Sequence, residues 1–230
     1  MVNWRFIANE NNLADYNMAI DECLFALKSN NKSLSPVLRV YSWSLPLISI
    51  GYFQKYSDFA NRKLPVIRRI TGGLSVEHGK DISYSLIASK DEWPYINNQE
   101  KTYKLIHNAI LKTLNDLSID AEFCEKSIFQ KKRKDSVCVN NIFPYDIHLN
   151  GRKIVGSCQR KRGSAFLVQG SIHVEKLITN YREFSKCLMD NFKDILKTKI
   201  FSSELNNEEV SLSGDLAKTK YSSDSWNKKY

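Results

Sequence analysis

Short runs that alternate apolar and polar side chains recur along this chain, and turn-forming residues join several of them directly. VLRVYSW and LISIGYF follow one another across Leu45-Pro46 within 36–52; a shorter run at 64–69 ends in Arg68-Arg69, and DISYSLIA alternates again at 81–88. Alternation with a period of two is the signature of a strand with two distinct faces. Further short strands are predicted at 145–149, 152–155, 165–168 and 171–174. The first two are joined by Asn150-Gly151, a hairpin turn whose residues tolerate positive φ. Two segments break this pattern with helical spacing: Leu13, Tyr16, Asn17, Ile20, Leu24 and Leu27 within 12–28, and Tyr103, Ile106, Ile110, Leu111, Leu114 and Leu117 within 100–117. Beyond Thr179 no sheet signal appears and the chain reads as helical. This order, with such short connections, predicts an α+β fold with a mixed, mostly antiparallel sheet flanked by helices. One domain over 1–230 is expected, with 179–230 as its helical C-terminal part. The 230 residues suffice for a core without metal or disulfide staples.

Charge and composition narrow the function classes. Thirty-four Lys+Arg against 25 Asp+Glu leave a net charge of +9. The longest apolar stretch, 45–53, is broken by Pro46, Ser49 and Gly51, far short of the roughly 20 residues a spanning helix needs. The N-terminus lacks a charged-then-apolar signal pattern. Five widely spaced cysteines without a CxxC pair suit a reducing compartment, so a cytoplasmic protein away from membranes is expected. The four histidines are scattered and predict no metal site. Lys131-Lys132-Arg133-Lys134 lies in a polar stretch, 125–136, read as an exposed loop. Without aromatic residues interleaved on a strand it does not argue for nucleic acid.

Three stretches carry chemistry. Arg68-Arg69-Ile70-Thr71-Gly72-Gly73 runs on to Val76 and His78; its glycines let backbone N–H groups approach a ligand, though a strand-to-turn connection needs the same residues. Lys153 sits on a predicted strand just after the hairpin. It is either an exposed hairpin lysine or an amine aimed into a cleft to polarise a carbonyl. Cys138 follows the basic loop, where cations would lower a thiol pKa, although a lone cysteine also serves as a small buried hydrophobe.

Read together, these stretches resemble the biotin/lipoate A/B protein ligase family over nearly the whole chain. Trp4-Arg5-Phe6-Ile7 with Asn17-Met18-Ala19 and Asp21-Glu22 is similar to the family's opening. Gly51-Tyr52-Phe53-Gln54 resembles the end of its next strand pair, Arg68-Arg69-Ile70-Thr71-Gly72-Gly73 with His78 its substrate loop, and YDIHLNGRKIVGSCQRKRG its lysine segment. KYSSDSW resembles its C-terminus. Five motifs in the family's order make the resemblance specific.

Within that family, the position of Cys138 seven residues before Tyr145 is similar to the nucleophile of the cysteine-type octanoyl transferases. The resemblance therefore implies Cys138 as nucleophile and Lys153 as the catalytic amine. It implies Arg69, Thr71, Gly72, Gly73, Val76, His78, Tyr145, Asp146, Gly156 and Ser157 around the substrate. It implies no cofactor. The implied partners are octanoyl-acyl carrier protein as donor and a lipoyl-domain protein, such as the glycine-cleavage H protein, as acceptor, both acidic and drawn to basic segments at 131–134 and 160–162. The other branches resembled are an ATP-dependent lipoate ligase and a non-catalytic lipoyl-binding relative. The chain departs from the family pattern at Leu74, Glu77 and Gln169, where a histidine is usual, and at Cys158, where an alanine is. An apolar tunnel for the acyl chain is expected around Val76, Ile82 and Ile154. If the lysine strand stays regular to 158, Cys158 faces away from Lys153.

Overall fold

The computed structural model describes residues 2–124, 128–129, 141–142 and 144–230, with backbone alone at 128–129 and 141–142. Cys138 and the basic stretch 131–134 lie outside the described residues.

The chain opens with β1 (Asn3–Asn12), α1 (Ala14–Asn30), β2 (Val37–Trp43) and β3 (Leu47–Ile50). Then follow β4 (Val66–Arg68), β5 (Val76–His78), β6 (Ile82–Ser89) and α2 (Gln99–Asp116). Two-residue pieces β7 (Glu122–Phe123), β8 (Ile128–Phe129) and β9 (Asn141–Ile142) lead to β10 (Ile147–Leu149), β11 (Arg152–Arg162) and β12 (Ala165–Ile172). The chain finishes with α3 (Lys176–Thr179), α4 (Tyr181–Leu196), β13 (Lys199–Ser202), α5 (Asn207–Leu216) and α6 (Asp224–Asn227). The main sheet has eight strands in the order β13-β1-β2-β6-β12-β11-β10-β7. β13 and β2 flank β1 in parallel, and every other pairing in this sheet is antiparallel. A second sheet, β4-β3-β5, pairs β3 parallel to β4 and antiparallel to β5. The expected mixed, mostly antiparallel α+β architecture is what the chain adopts. No helix among the described residues is long and apolar enough to cross a membrane.

Both faces of the main sheet are covered. On one, Leu38, Val40, Tyr84, Leu86, Phe166 and Val168 pack under α2 and α4 through Ile110, Leu114, Phe184 and Leu188. On the other, Val37, Tyr41, Ile87 and Leu167 meet Met18, Ile20, Leu24 and Phe25 of α1. Strands covered on both faces bury nearly every residue, and β2 and β6 are buried throughout.

Several strands depart from the sequence reading: β5 and β7 are absent from it, the strands expected at 165–168 and 171–174 are one continuous β12, and β13 and β1 are new. The segment after Thr179 is not helical throughout, because Lys199–Ser202 adds β13 to the sheet edge beside β1. Its four residues are too few to show alternation, and Phe201 is exposed. β1 itself was hidden by its polar end, Glu10-Asn11-Asn12, where the pairing with β2 shifts register and Asn11 takes φ 55°. Arg5 on β1 fastens the C-terminal part by two bonds to Glu209 of α5, at 2.5 and 2.9 Å.

α1 is tied to the sheet by a buried carboxylate. Asp21 Oδ1 accepts from Arg39 Nη1 at 2.8 Å and Ser85 Oγ at 2.7 Å, and Oδ2 accepts from Tyr41 at 3.0 Å and Gln169 Nε2 at 2.7 Å. Burial and the adjacent carboxylate push the Tyr41 phenol well above its ordinary pKa, so it stays a donor. Arg39 also donates to the backbone and side-chain oxygens of Asn17, at 3.2 and 2.5 Å. Removing one member of such a pair leaves the other charged and dry. Asp21→Ala is expected to cost about 3–5 kcal/mol in urea unfolding; a loss below about 1 kcal/mol would show that the network does not hold α1 in place.

Candidate active site

A cavity lies between the two sheets, where Met18 of α1 closes one end. Its volume is about 150 Å³, and it is walled by Met18, Tyr41, Trp43, Leu74 and Val76, with Lys153, Gly156 and Cys158 along β11 and Gln169–Ser171 along β12. Aromatic and aliphatic side chains beside a few aimed polar groups make a lining suited to an apolar chain with one reactive end.

Lys153 reaches this wall because β11 is bulged. Ile147 pairs with Val155 and His148 with Lys153, so Ile154 is an extra residue. Ile154 and Val155 consequently both enter the core under α2 and α4. Lys153, Gly156 and Cys158 all face the cavity. The expectation that Cys158 faces away from Lys153 is therefore wrong: it assumed unbroken alternation, and the bulge resets it. The hairpin feeding this strand is as expected, with Asn150 at φ 52° and Gly151 at φ 74°.

The Lys153 ammonium is held 2.7 Å from Asp146, both side chains being only 5% exposed. Its Cε lies over Gly156, where an added Cβ would come within 2.6 Å. Glycine at 156 thus leaves the channel along which the lysine extends. Asp146 is set by the corner before β10, where Tyr145 takes φ 69°. That corner is pinned from α2: His107 Nδ1–H donates to the Tyr145 carbonyl at 2.6 Å, which leaves Nε2 to accept from Ser157 Oγ at 2.7 Å. Ser157 in turn accepts from Tyr84 at 2.5 Å. Burial holds the His107 imidazole below its ordinary pKa and pushes the Tyr84 phenol up, which keeps this relay neutral.

The glycine loop at 69–74 is organised by Arg69. Its guanidinium donates to the Ser49 carbonyl and Oγ, both at 3.2 Å, and to the carbonyls of Gly72 and Leu74, both at 2.7 Å. This draws Gly73, at φ 86°, against the cavity and binds the loop to β3. His78 sits with Nδ1 2.8 Å from Asp81 and Nε2 2.8 Å from Ser49 Oγ, its ring 4.2 Å from that of Trp43. Burial opposes ionisation of Asp81, but His78 and the Gly79 amide outweigh it and hold this carboxyl below its ordinary pKa. The departure at Gln169 has a place here. Its amide spans from Asp21 to Thr71, 2.7 Å at each end, and Thr71 Oγ1 lies 3.1 Å from Cys158 Sγ.

Of the residues expected around the substrate, Arg69, Gly73, Val76, His78, Lys153, Gly156 and Ser157 border this one cavity. Asp146 stands behind Lys153. Thr71 is buried behind Cys158, and Gly72 contributes its carbonyl to Arg69 rather than a wall. Tyr145 is placed elsewhere: its ring borders a separate depression with Tyr95, Lys101 and Lys104. Of the expected tunnel, only Val76 lines the cavity; Ile82 and Ile154 point into the core on the far side of the sheet. Cys138 lies outside the described residues. The sequence reading missed Ser49, Asp81 and His107. Only His107 left a trace, as a polar residue in line with Tyr103, Ile106 and Ile110 on the apolar face of α2.

Known proteins are similar to this chain in sequence and in fold. A family model described as the lipoyl protein ligase A/B catalytic domain matches residues 14–218. The octanoyltransferase LipM of Bacillus subtilis is 30% identical, over 98% of this chain and 98% of its own. LipM of Brevibacillus brevis is 28% identical over 99% of each, in an alignment of 274 positions against the 230 residues here, so that relative carries segments this chain lacks. Among solved structures, a lipoate-protein ligase A bound with ATP superimposes with a TM-score of 0.77 at 22% identity, covering 99% of both chains. The bi-partite lipoate protein ligase of Thermoplasma acidophilum gives 0.74 at 20%, covering 99% of this chain and 97% of that one. These last two show the shared fold. With its family model matched from 14 to 218 and a relative 30% identical along almost its whole length, the chain belongs to the lipoyl protein ligase A/B catalytic domain family.

Proposed function

We propose that this protein is an octanoyltransferase. It moves an octanoyl group from acyl carrier protein to a lysine of a lipoyl-domain protein, through a thioester on Cys138. The observation that carries this reading is the whole-length similarity to proteins named octanoyltransferases. The cavity supports it with an apolar lining for the chain and a buried ammonium beside it.

The chemistry follows from the groups present. A cysteine is only a few per cent thiolate near pH 7, so an adjacent cation is needed to favour the reactive form. The Cys138 thiolate attacks the thioester carbonyl, the carbon–sulfur bond to the carrier breaks, and the carrier leaves as a thiol. Lys153 donates to the oxygen that gains charge during this attack. Asp146 fixes the direction of that ammonium. The acceptor lysine then attacks the new thioester, and its proton passes to the departing sulfur through Lys153. Exchange between thioesters is near-neutral and amide formation from a thioester is downhill, so ATP is not consumed. The net charge of +9 raises the encounter rate with acidic carrier and lipoyl domains.

Mixing octanoyl-acyl carrier protein, a lipoyl domain and this protein without ATP tests the reading. The lipoyl domain should gain one octanoyl group by intact mass, whereas transfer strictly dependent on Mg-ATP would assign the protein to the ligases.

Burial of the Lys153–Asp146 pair alters what a lysine substitution should do. An exposed hairpin lysine would contribute little to stability, but Lys153→Met strands a buried carboxylate. It should cost several kcal/mol in unfolding, within the roughly 3–5 kcal/mol range for such losses, and lower transfer about 10²–10³-fold. Adding Asp146→Asn should restore much of the stability and none of the transfer. Recovery of transfer in the double variant would remove Lys153 from the chemistry.

A further inference from the structure

Ser49, His78 and Asp81 stand in the order of a hydrolytic triad, with Ser49 and His78 on the wall of the same cavity and Asp81 buried behind them. Ser49 Oγ is 2.8 Å from His78 Nε2, and His78 Nδ1 is 2.8 Å from Asp81 Oδ2. The tautomer follows from the partners. A carboxylate accepts, so Nδ1 carries the proton and Nε2 is left to receive the serine hydroxyl proton. Asp81 is oriented by two more donors, the Gly79 amide at 3.0 Å on Oδ1 and Ser83 Oγ at 3.2 Å on Oδ2. Arg69 Nη1 lies 3.2 Å from Ser49 Oγ, so a fixed cation donates to this oxygen. Ser49, His78, Ser83 and Arg69 all border the cavity. The hydroxyl, imidazole and carboxylate are thus joined in one line of hydrogen bonds whose serine end borders the cavity.

We propose that Ser49 is a second acyl acceptor in this cavity, giving the protein a slow hydrolase activity towards medium-chain acyl thioesters and esters. Ser49 Oγ attacks the acyl carbonyl and passes its proton to His78 Nε2. The bond from the carbonyl carbon to sulfur or oxygen breaks, and the leaving group departs with that proton, leaving the acyl group as an ester on Ser49. Water then attacks this ester and gives a proton to His78. The carbon–oxygen bond to Ser49 breaks, Ser49 recovers the proton, and the fatty acid is released. Asp81 remains ionised throughout and holds the imidazole. The result is a drain for acyl groups that enter the cavity and meet no acceptor lysine. The inference does not require the transferase reading, since neither Cys138 nor a carrier protein takes part.

The test uses the full chain with Cys138→Ser and Cys158→Ala, so that neither thiol can capture the acyl group. An octyl fluorophosphonate should form one adduct, located on Ser49 by peptide mapping, and p-nitrophenyl octanoate should be hydrolysed with turnover. Ser49→Ala should abolish the adduct and slow hydrolysis at least about 10²-fold, the scale on which a positioned acid–base pair acts. Asp81→Asn should slow labelling while circular dichroism stays unchanged. The proposal is overturned if the folded parent chain gives no adduct on Ser49 after prolonged exposure, or if ester hydrolysis survives Ser49→Ala undiminished. Labelling of Ser49 is scored in this doubly substituted chain. It is read independently of octanoyl transfer to a lipoyl domain, so failure of one reading does not imply failure of the other.

Discussion

The buried ion pair between Lys153 and Asp146 is the constraint around which the site is arranged. An ammonium removed from water is tolerated only where a carboxylate meets it and packing holds both. Here the single extra residue in β11 turns Lys153 from the core side to the cavity side. Gly156 leaves the space its stem crosses, and His107 holds the corner that presents Asp146. The bulge, the missing side chain and the pinned corner belong to different elements, yet each serves to place one amine.

A second buried polar chain braces the cavity from α1 and β12. It runs from Arg39 and Asp21 through Gln169 to Thr71 and ends at Cys158. Because Asp21 stands on α1 and Gln169 on β12, the helix that closes the cavity and the strand that lines it are fixed by one set of hydrogen bonds. Arg69 does the same for the glycine loop and β3. The apolar floor therefore sits in a rigid polar frame, which fixes the polar groups that border the cavity.

Much of the architecture was legible in the sequence wherever an element was long enough to show its period. α1, α2, β2 and β6 fall close to their expected positions. β13 and the bulge at Ile154 were not legible, because each is a matter of pairing register and not of residue pattern. The family resemblance indicated Lys153, Arg69 and His78. It did not foresee that Cys158 would share a wall with Lys153, since that depends on the broken alternation of β11. Nor did spacing join Ser49 to His78, or His107 to Ser157; these contacts exist only once separate strands and a helix are packed together.

The choice of nucleophile is decisive, because Cys158 borders the cavity and offers a thiol that competes with Cys138. Trapping the enzyme with octanoyl-acyl carrier protein in the absence of acceptor, then mapping the acylated peptide, measures it directly. One octanoyl thioester is expected on Cys138, lost in Cys138→Ser and retained in Cys158→Ala. A label that survives Cys138→Ser and disappears with Cys158→Ala would contradict the Cys138 assignment.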